Sequence, residues 1–133
     1  MPARILTIED NPANLELVRY LLTANGYSTL TAQDGREGVR IARQASPDLV
    51  LCDLQMPVLD GYGVLSQIRS DPKLRDTRVV AVTAFSMSGD RSKVFSAGFD
   101  GYIAKPIDPE RFVAQVEAYL RPELRAAPPP PTS

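Results

Sequence analysis

Arg4-Ile5-Leu6-Thr7-Ile8-Glu9-Asp10-Asn11-Pro12 carries an apolar β-type run, two adjacent acids and an Asn-Pro pair in immediate succession. Arg4–Ile8 has the near-continuous apolar character of a parallel strand covered on both faces. Asn11 and Pro12 read as a helix N-cap and the first helical position, where proline's missing N–H costs nothing. A strand passing into a helix through a short acidic turn is a βα unit, and the rest of the chain repeats it. Further strands are expected at Ser28–Ala32, Asp48–Cys52, Arg78–Thr83 and Gly101–Ala104. The second carries more hydroxyls and suits an edge.

The helices between them have their own punctuation. Leu15, Val18 and Leu22 recur at helical spacing before Gly26, and Asp34 with Glu37 forms a capping box for a helix ending before Pro47. Val64, Leu65 and Ile68 mark a third, Ser88–Ala97 a fourth, and Asp108-Pro109 opens a fifth whose apolar stripe is Phe112, Val116, Tyr119 and Leu120. Right-handed crossovers then give an α/β fold. The expected architecture is a doubly wound five-stranded parallel sheet of order 2-1-3-4-5, flavodoxin-like, with five flanking helices.

At 133 residues, 44% of them hydrophobic, the chain suits one domain with a self-supporting core. That domain is expected over residues 1–121, with a flexible Pro-rich tail over 122–133. Fifteen basic against sixteen acidic residues give no electrostatic footprint for nucleic acid. No apolar stretch approaches a membrane span or a signal segment, and the single cysteine, Cys52, permits no internal disulfide, so a cytoplasmic protein is expected. Cys52 itself reads as a small core residue. Histidine is absent, which excludes His-based triads, His-ligated zinc and phosphohistidine on this chain.

In this fold class ligands bind at the carboxyl ends of the strands, beside the switch point between the first and third. Glu9, Asp10, Asp53, Thr83 and Lys105 all fall at such ends. Two like charges about 4 Å apart repel by roughly 4 kcal/mol at an effective dielectric near 20, so three carboxylates with one lysine call for a cation. Hard oxygen ligands without His or Cys suit Mg2+, with Mn2+ as the alternative.

Glu9-Asp10-Asn11, Asp53-Leu-Gln-Met-Pro57 with Asp60-Gly61, Thr83-Ala84 and Lys105-Pro106, in that order, resemble the pattern of a response-regulator receiver domain over about Arg4 to Leu120. The resemblance implies a phosphorylation-controlled signalling switch. Asp53 would accept the phosphoryl group, and Glu9, Asp10, Asp53 and the Gln55 carbonyl would hold Mg2+. Thr83, Ala84 and Lys105 would bind phosphoryl oxygens, Lys105–Pro106 would be cis, and Thr83 with Tyr102 would form the switch. The donor would be a histidine kinase, hybrid kinase or histidine phosphotransfer protein. The output would be a downstream protein bound to the fourth helix, fifth strand and fifth helix, with Lys93, Tyr102 and Arg111 as exposed members.

The same resemblance sets Gln55 and Phe85 beside the phosphoryl group, where Phe85 would crowd out an in-line water and prolong the signal. Such a protein is no enzyme toward an external substrate; it catalyses only its own aspartyl phosphorylation and dephosphorylation. Two alternatives remain at this point: a receiver-like binding module that is never phosphorylated, and a phosphatase with an Asp nucleophile. Phosphatases of the haloacid-dehalogenase type place a second acid two residues after the nucleophile, where this chain has Gln55. A flavin binder of flavodoxin type would need a phosphate loop where the chain has Glu9-Asp10.

Overall fold

The computed structural model describes residues 3–84 and 88–125, with the backbone alone at 88–90. In chain order the elements are β1 (Arg4–Ile8), α1 (Pro12–Ala24), β2 (Ser28–Ala32), α2 (Gly35–Ala45), β3 (Leu49–Asp53), α3 (Gly61–Ser70), β4 (Arg78–Thr83), α4 (Ser88–Ala97), β5 (Gly101–Ala104) and α5 (Phe112–Glu117). The strands form one parallel sheet of order β2-β1-β3-β4-β5, as expected from the repeated βα pattern. The topological switch lies between β1 and β3.

Alternate residues of each central strand feed two cores. Leu6, Ile8, Val50, Cys52 and Ala81 point to one face and pack with Val39, Val64, Ile68 and Val94 from α2, α3 and α4. Ile5, Leu49, Leu51, Val80 and Val82 point to the other and meet Val18 and Leu22 of α1 with Phe112 and Val116 of α5. Burial on both sides is what made β1, β3 and β4 read as unbroken apolar runs.

Local chemistry sets the helix ends. The Asn11 side chain accepts from the Ala13 and Asn14 N–H groups at 2.9 and 3.1 Å, and that of Asp34 from Glu37 at 2.8 Å. Each such cap is worth about 1 kcal/mol. The expected start of the fifth helix at Asp108-Pro109 is corrected: Asp108 accepts the Glu110 N–H with its side chain and those of Arg111 and Phe112 with its carbonyl. Residues 109–111 therefore close a turn, and α5 begins at Phe112.

The third strand also runs one residue later than expected, because Asp48 turns its side chain to the Arg4 N–H while Asp53 pairs with Val82. Past Arg121 the chain continues in a short 3-10 turn, Pro122–Leu124, whose Leu124 packs on the α1–α5 core and accepts the Ala3 N–H at 3.0 Å. The Pro-rich residues 126–133 and Phe85 lie outside the described residues. No helix among the described residues is long and apolar enough to cross a membrane.

Candidate functional site

Glu9 leaves β1 at the switch point and stays buried, because its N–H still pairs with the Ala32 carbonyl of β2 and holds it against the sheet. Asp53 ends β3 beside it, also buried. Asp10, one residue further on, is exposed. Single carboxylate oxygens of Glu9, Asp10 and Asp53 all lie within 4.8 Å of one another. Lys105 reaches in from the end of β5, its Nζ 2.5 Å from Glu9 Oε1 and 3.2 Å from Asp53 Oδ2. The remaining oxygens face backbone donors: Glu9 Oε2 accepts from Asn11 and Asp53 Oδ1 from Gln55, both at 3.2 Å.

Three carboxylates against one ammonium leave the cluster short of positive charge. Burial pushes the Glu9 carboxyl up to about 7 against the pull of Lys105, and the neighbouring Asp53 adds to the rise. Burial opposes the charge on Lys105 too, but its hydrogen bond to Glu9 and the charges of Glu9 and Asp53 outweigh this and raise its pKa. A divalent cation fits here on the chemistry of the donor set: hard oxygens only, close together, with two negative charges left over once the single lysine is set against the three carboxylates.

The other sequence candidates gather around this cluster with looser ties. Thr83 is buried at the end of β4, its carbonyl accepting from the Lys105 N–H at 2.8 Å, and Ala84 follows it exposed. Gln55 is exposed and joins the site through its N–H. The Lys105–Pro106 peptide bond is cis. Tyr102 lies half-buried one pleat further in, opposite Ala81, and packs on the α2–α4 core. Cys52 is fully buried, and burial pushes its thiol up, which leaves it unreactive.

Two features of the site escaped sequence reasoning. A Cβ added at Gly61 would stand 2.7 Å from the Asp53 carbonyl oxygen and 2.9 Å from the Leu54 Cα, so this glycine lets α3 close against the backbone that carries Asp53. The Asp60-Gly61 pair was a visible signal, but the contact it permits is tertiary. Val58 has φ +73° and is bridged by a hydrogen bond from the Leu59 N–H to the Pro57 carbonyl, a tight turn that a β-branched residue enters only under strain. Nothing local announces it.

Against known proteins, residues 5–117 match the family model for the response regulator receiver domain. The chain is 40% identical over 120 residues to the polar-differentiation response regulator DivK of Brucella anthropi, covering 90% of this chain and 98% of that one. The corresponding protein of Brucella ovis is 39% identical over the same length. The chemotaxis response regulator CheY4 of Vibrio cholerae superposes with a TM-score of 0.86 at 26% identity, covering 90% of this chain and 100% of its own. The receiver domain of the sensor histidine kinase PA1611 of Pseudomonas aeruginosa, solved with magnesium coordinated in its active-site cleft, gives a TM-score of 0.80 at 33% identity, covering 90% of this chain and 98% of its own.

Proposed function

This chain belongs to the response regulator receiver domain family, and from that premise we propose that Asp53 accepts a phosphoryl group from a phosphohistidine, with Mg2+ as cofactor, and that the modified domain signals by protein contact. The observation that carries the proposal is the convergence of Glu9, Asp10, Asp53 and Lys105 at the switch point of the sheet.

In the proposed reaction an Asp53 oxygen attacks phosphorus in line with the donor's imidazole nitrogen; the P–N bond breaks as the P–O bond forms, and the freed imidazole takes up a proton. Asp53 is a weak nucleophile, so its contribution is position: Gln55 and Lys105 each hold one of its oxygens. The Lys105 ammonium, already drawn to the cluster by two carboxylates, offsets the charge arriving on the phosphoryl oxygens. Glu9, Asp10 and Asp53 would hold Mg2+ with the Gln55 carbonyl. When bound, the metal neutralises anionic oxygens that would otherwise repel one another. Thr83 and the Ala84 backbone would bind the phosphoryl group.

For the donor we propose a histidine kinase, a hybrid kinase or a histidine phosphotransfer protein, acting in the cytoplasm. The output surface is the face of α4, β5 and α5, where Lys93 and Arg111 are exposed and Tyr102 is half-buried. Thr83 and Tyr102 would couple that face to the site. The name of the Brucella relatives supports a regulator of cell differentiation as the first pathway class to examine. The protein turns over no external substrate on this reading.

Incubation with acetyl phosphate and Mg2+, followed by peptide mass mapping, should find one phosphoryl adduct, on Asp53. Chelation should abolish it, and Asp53→Asn should remove it without loss of fold. Equal labelling of the Asn variant would overturn the assignment.

A further inference from the structure

Thr7 is a polar residue in the core that nothing so far has used. It sits in the middle of β1, 4% exposed, and its hydroxyl has no hydrogen-bond partner among the described residues. Strand alternation puts it in one column with Ile5 below and Glu9 above, next to the column of Leu49, Leu51 and Asp53; Thr7 is the register partner of Leu51. The hydroxyl is thus one pleat beneath the acidic cluster, on the side covered by α1.

At that place the packing opens into a small cavity of about 10 Å³, lined by Thr7, Glu9 and Asp53 together with Val18, Leu51 and Val82. Its size is that of one water molecule. Buried hydroxyls are almost always hydrogen-bonded, and a buried water needs two to four polar partners; here Thr7 and the two carboxylates supply three, while the rest of the wall is aliphatic.

We infer that this cavity is a binding site for one ordered water, which accepts from the Thr7 hydroxyl and donates one hydrogen to each of the carboxylates of Asp53 and Glu9 from beneath. Thr7 is then a positioning residue. Acting through the water, it fixes the inward oxygen of Asp53, so that the outward oxygen keeps one direction toward Lys105 and the incoming phosphorus. Valine at this position would have the same shape and none of this function, and β-strand preference makes threonine look routine there. The functional part of the inference rests on Asp53 being the phosphoryl acceptor; the water site itself does not.

The test has a structural and a kinetic arm. A high-resolution crystal structure of the wild type should show density within hydrogen-bond distance of Thr7 Oγ1 and of an oxygen of Asp53 or Glu9, and this density should vanish in Thr7→Val. Thermal unfolding should place Thr7→Val at or below the wild type, since the water loses a partner. At saturating Mg2+ and acetyl phosphate, Thr7→Val should label Asp53 about tenfold more slowly, as for loss of an outer hydrogen bond that orients a site ligand, with Thr7→Ser restoring the rate. A dry cavity in the wild-type crystal overturns the inference. So does a Thr7→Val variant that is more stable than the wild type and labels at an unchanged rate, the result expected of an orphaned hydroxyl. Failure of the wild type itself to label Asp53 would sink the proposed function instead, and the crystallographic arm would still decide the water.

Discussion

At the amino ends of the strands, charged side chains tie elements together. Asp48 accepts the Arg4 N–H, and the Arg4 guanidinium donates to the Ala45 carbonyl at the end of α2. Arg69, at the end of α3, donates to the carbonyls of Arg75, Thr77 and Gly98 and to Asp100, whose carboxylate also takes the Val79 N–H at 2.8 Å. Arg78 donates to the Tyr119 carbonyl. At the carboxyl ends the same fold does the opposite: it buries two carboxylates beside a third with one lysine between them, leaves a threonine hydroxyl beneath with no protein partner among the described residues, and strains Val58 alongside. One end secures the sheet. The other holds charge and strain that a ligand can relieve, at the cost of stability in the resting protein.

The largest expected expression of that difference is a pH effect. In the folded protein Glu9 holds its proton up to about pH 7, whereas in the unfolded chain it loses it near the ordinary 4.5. Between those limits the folded state binds more protons, so metal-free stability should fall as pH rises, by about 3 kcal/mol in all. Below the lower limit both states are protonated and above the upper one both are ionised, so Glu9 adds no slope in either range. Lys105, whose pKa is raised, contributes stability that is lost only in the alkaline range, above its ordinary value. Denaturant titrations from pH 5 to 8, with and without saturating Mg2+, would check this. The metal should flatten the decline by favouring ionised Glu9, and a metal-free protein equally stable at both limits would break the comparison.

Next in size is a pair of deletions, one at each end. Asp100→Ala removes the partner of Arg69 and of the Val79 N–H, a buried donor bonded to a charged group, and should cost about 2 kcal/mol. Asp10→Ala removes an exposed carboxylate from a cluster with too many, and should leave metal-free stability unchanged or slightly higher while weakening Mg2+ binding. Urea unfolding of both variants reads the contrast directly. Equal losses would mean that the acidic cluster contributes to the fold.

Much of this was legible before the structure, for a physical reason. Strand and helix periods, caps and turn residues are local, so the order of elements and the residues at strand ends followed from short stretches such as Arg4–Pro12, and the residue set at the switch point followed from topology. What was not legible depends on approach between distant segments. The Asp108-Pro109 pair looked like a helix start, yet the bonds that Asp108 makes close a turn first. Leu124 looked like tail, and only the fold brings Ala3 to its carbonyl. Gly61 was visible as half of the Asp60-Gly61 pair and Thr7 is ordinary in sequence, but the role of one is fixed by the Asp53 backbone and that of the other by a cavity that exists only when β1, β3, β4 and α1 have packed.

The smallest expected effect tests whether strain belongs to the carboxyl end in particular. The amino end has its own left-handed residue, Ser46 with φ +47°, but there it terminates α2 and its N–H bonds to the Ala42 carbonyl at 2.9 Å, an ordinary helix ending. Val58 has no such excuse: it is β-branched, 72% exposed, and so gains little burial in return for its conformation. Replacing it by glycine removes the steric penalty, of order 1–3 kcal/mol, but gives up part of that gain to the greater freedom of glycine in the unfolded chain. A net gain of about 0.5–1 kcal/mol is expected for Val58→Gly. Val58→Asn, which drops the β-branching but keeps a Cβ at positive φ, should gain less. Two-state denaturant unfolding of both variants resolves differences of this size. If both lose stability, the turn at Val58 is held by contacts of its side chain, and the strained end of the sheet is less strained than its geometry indicates.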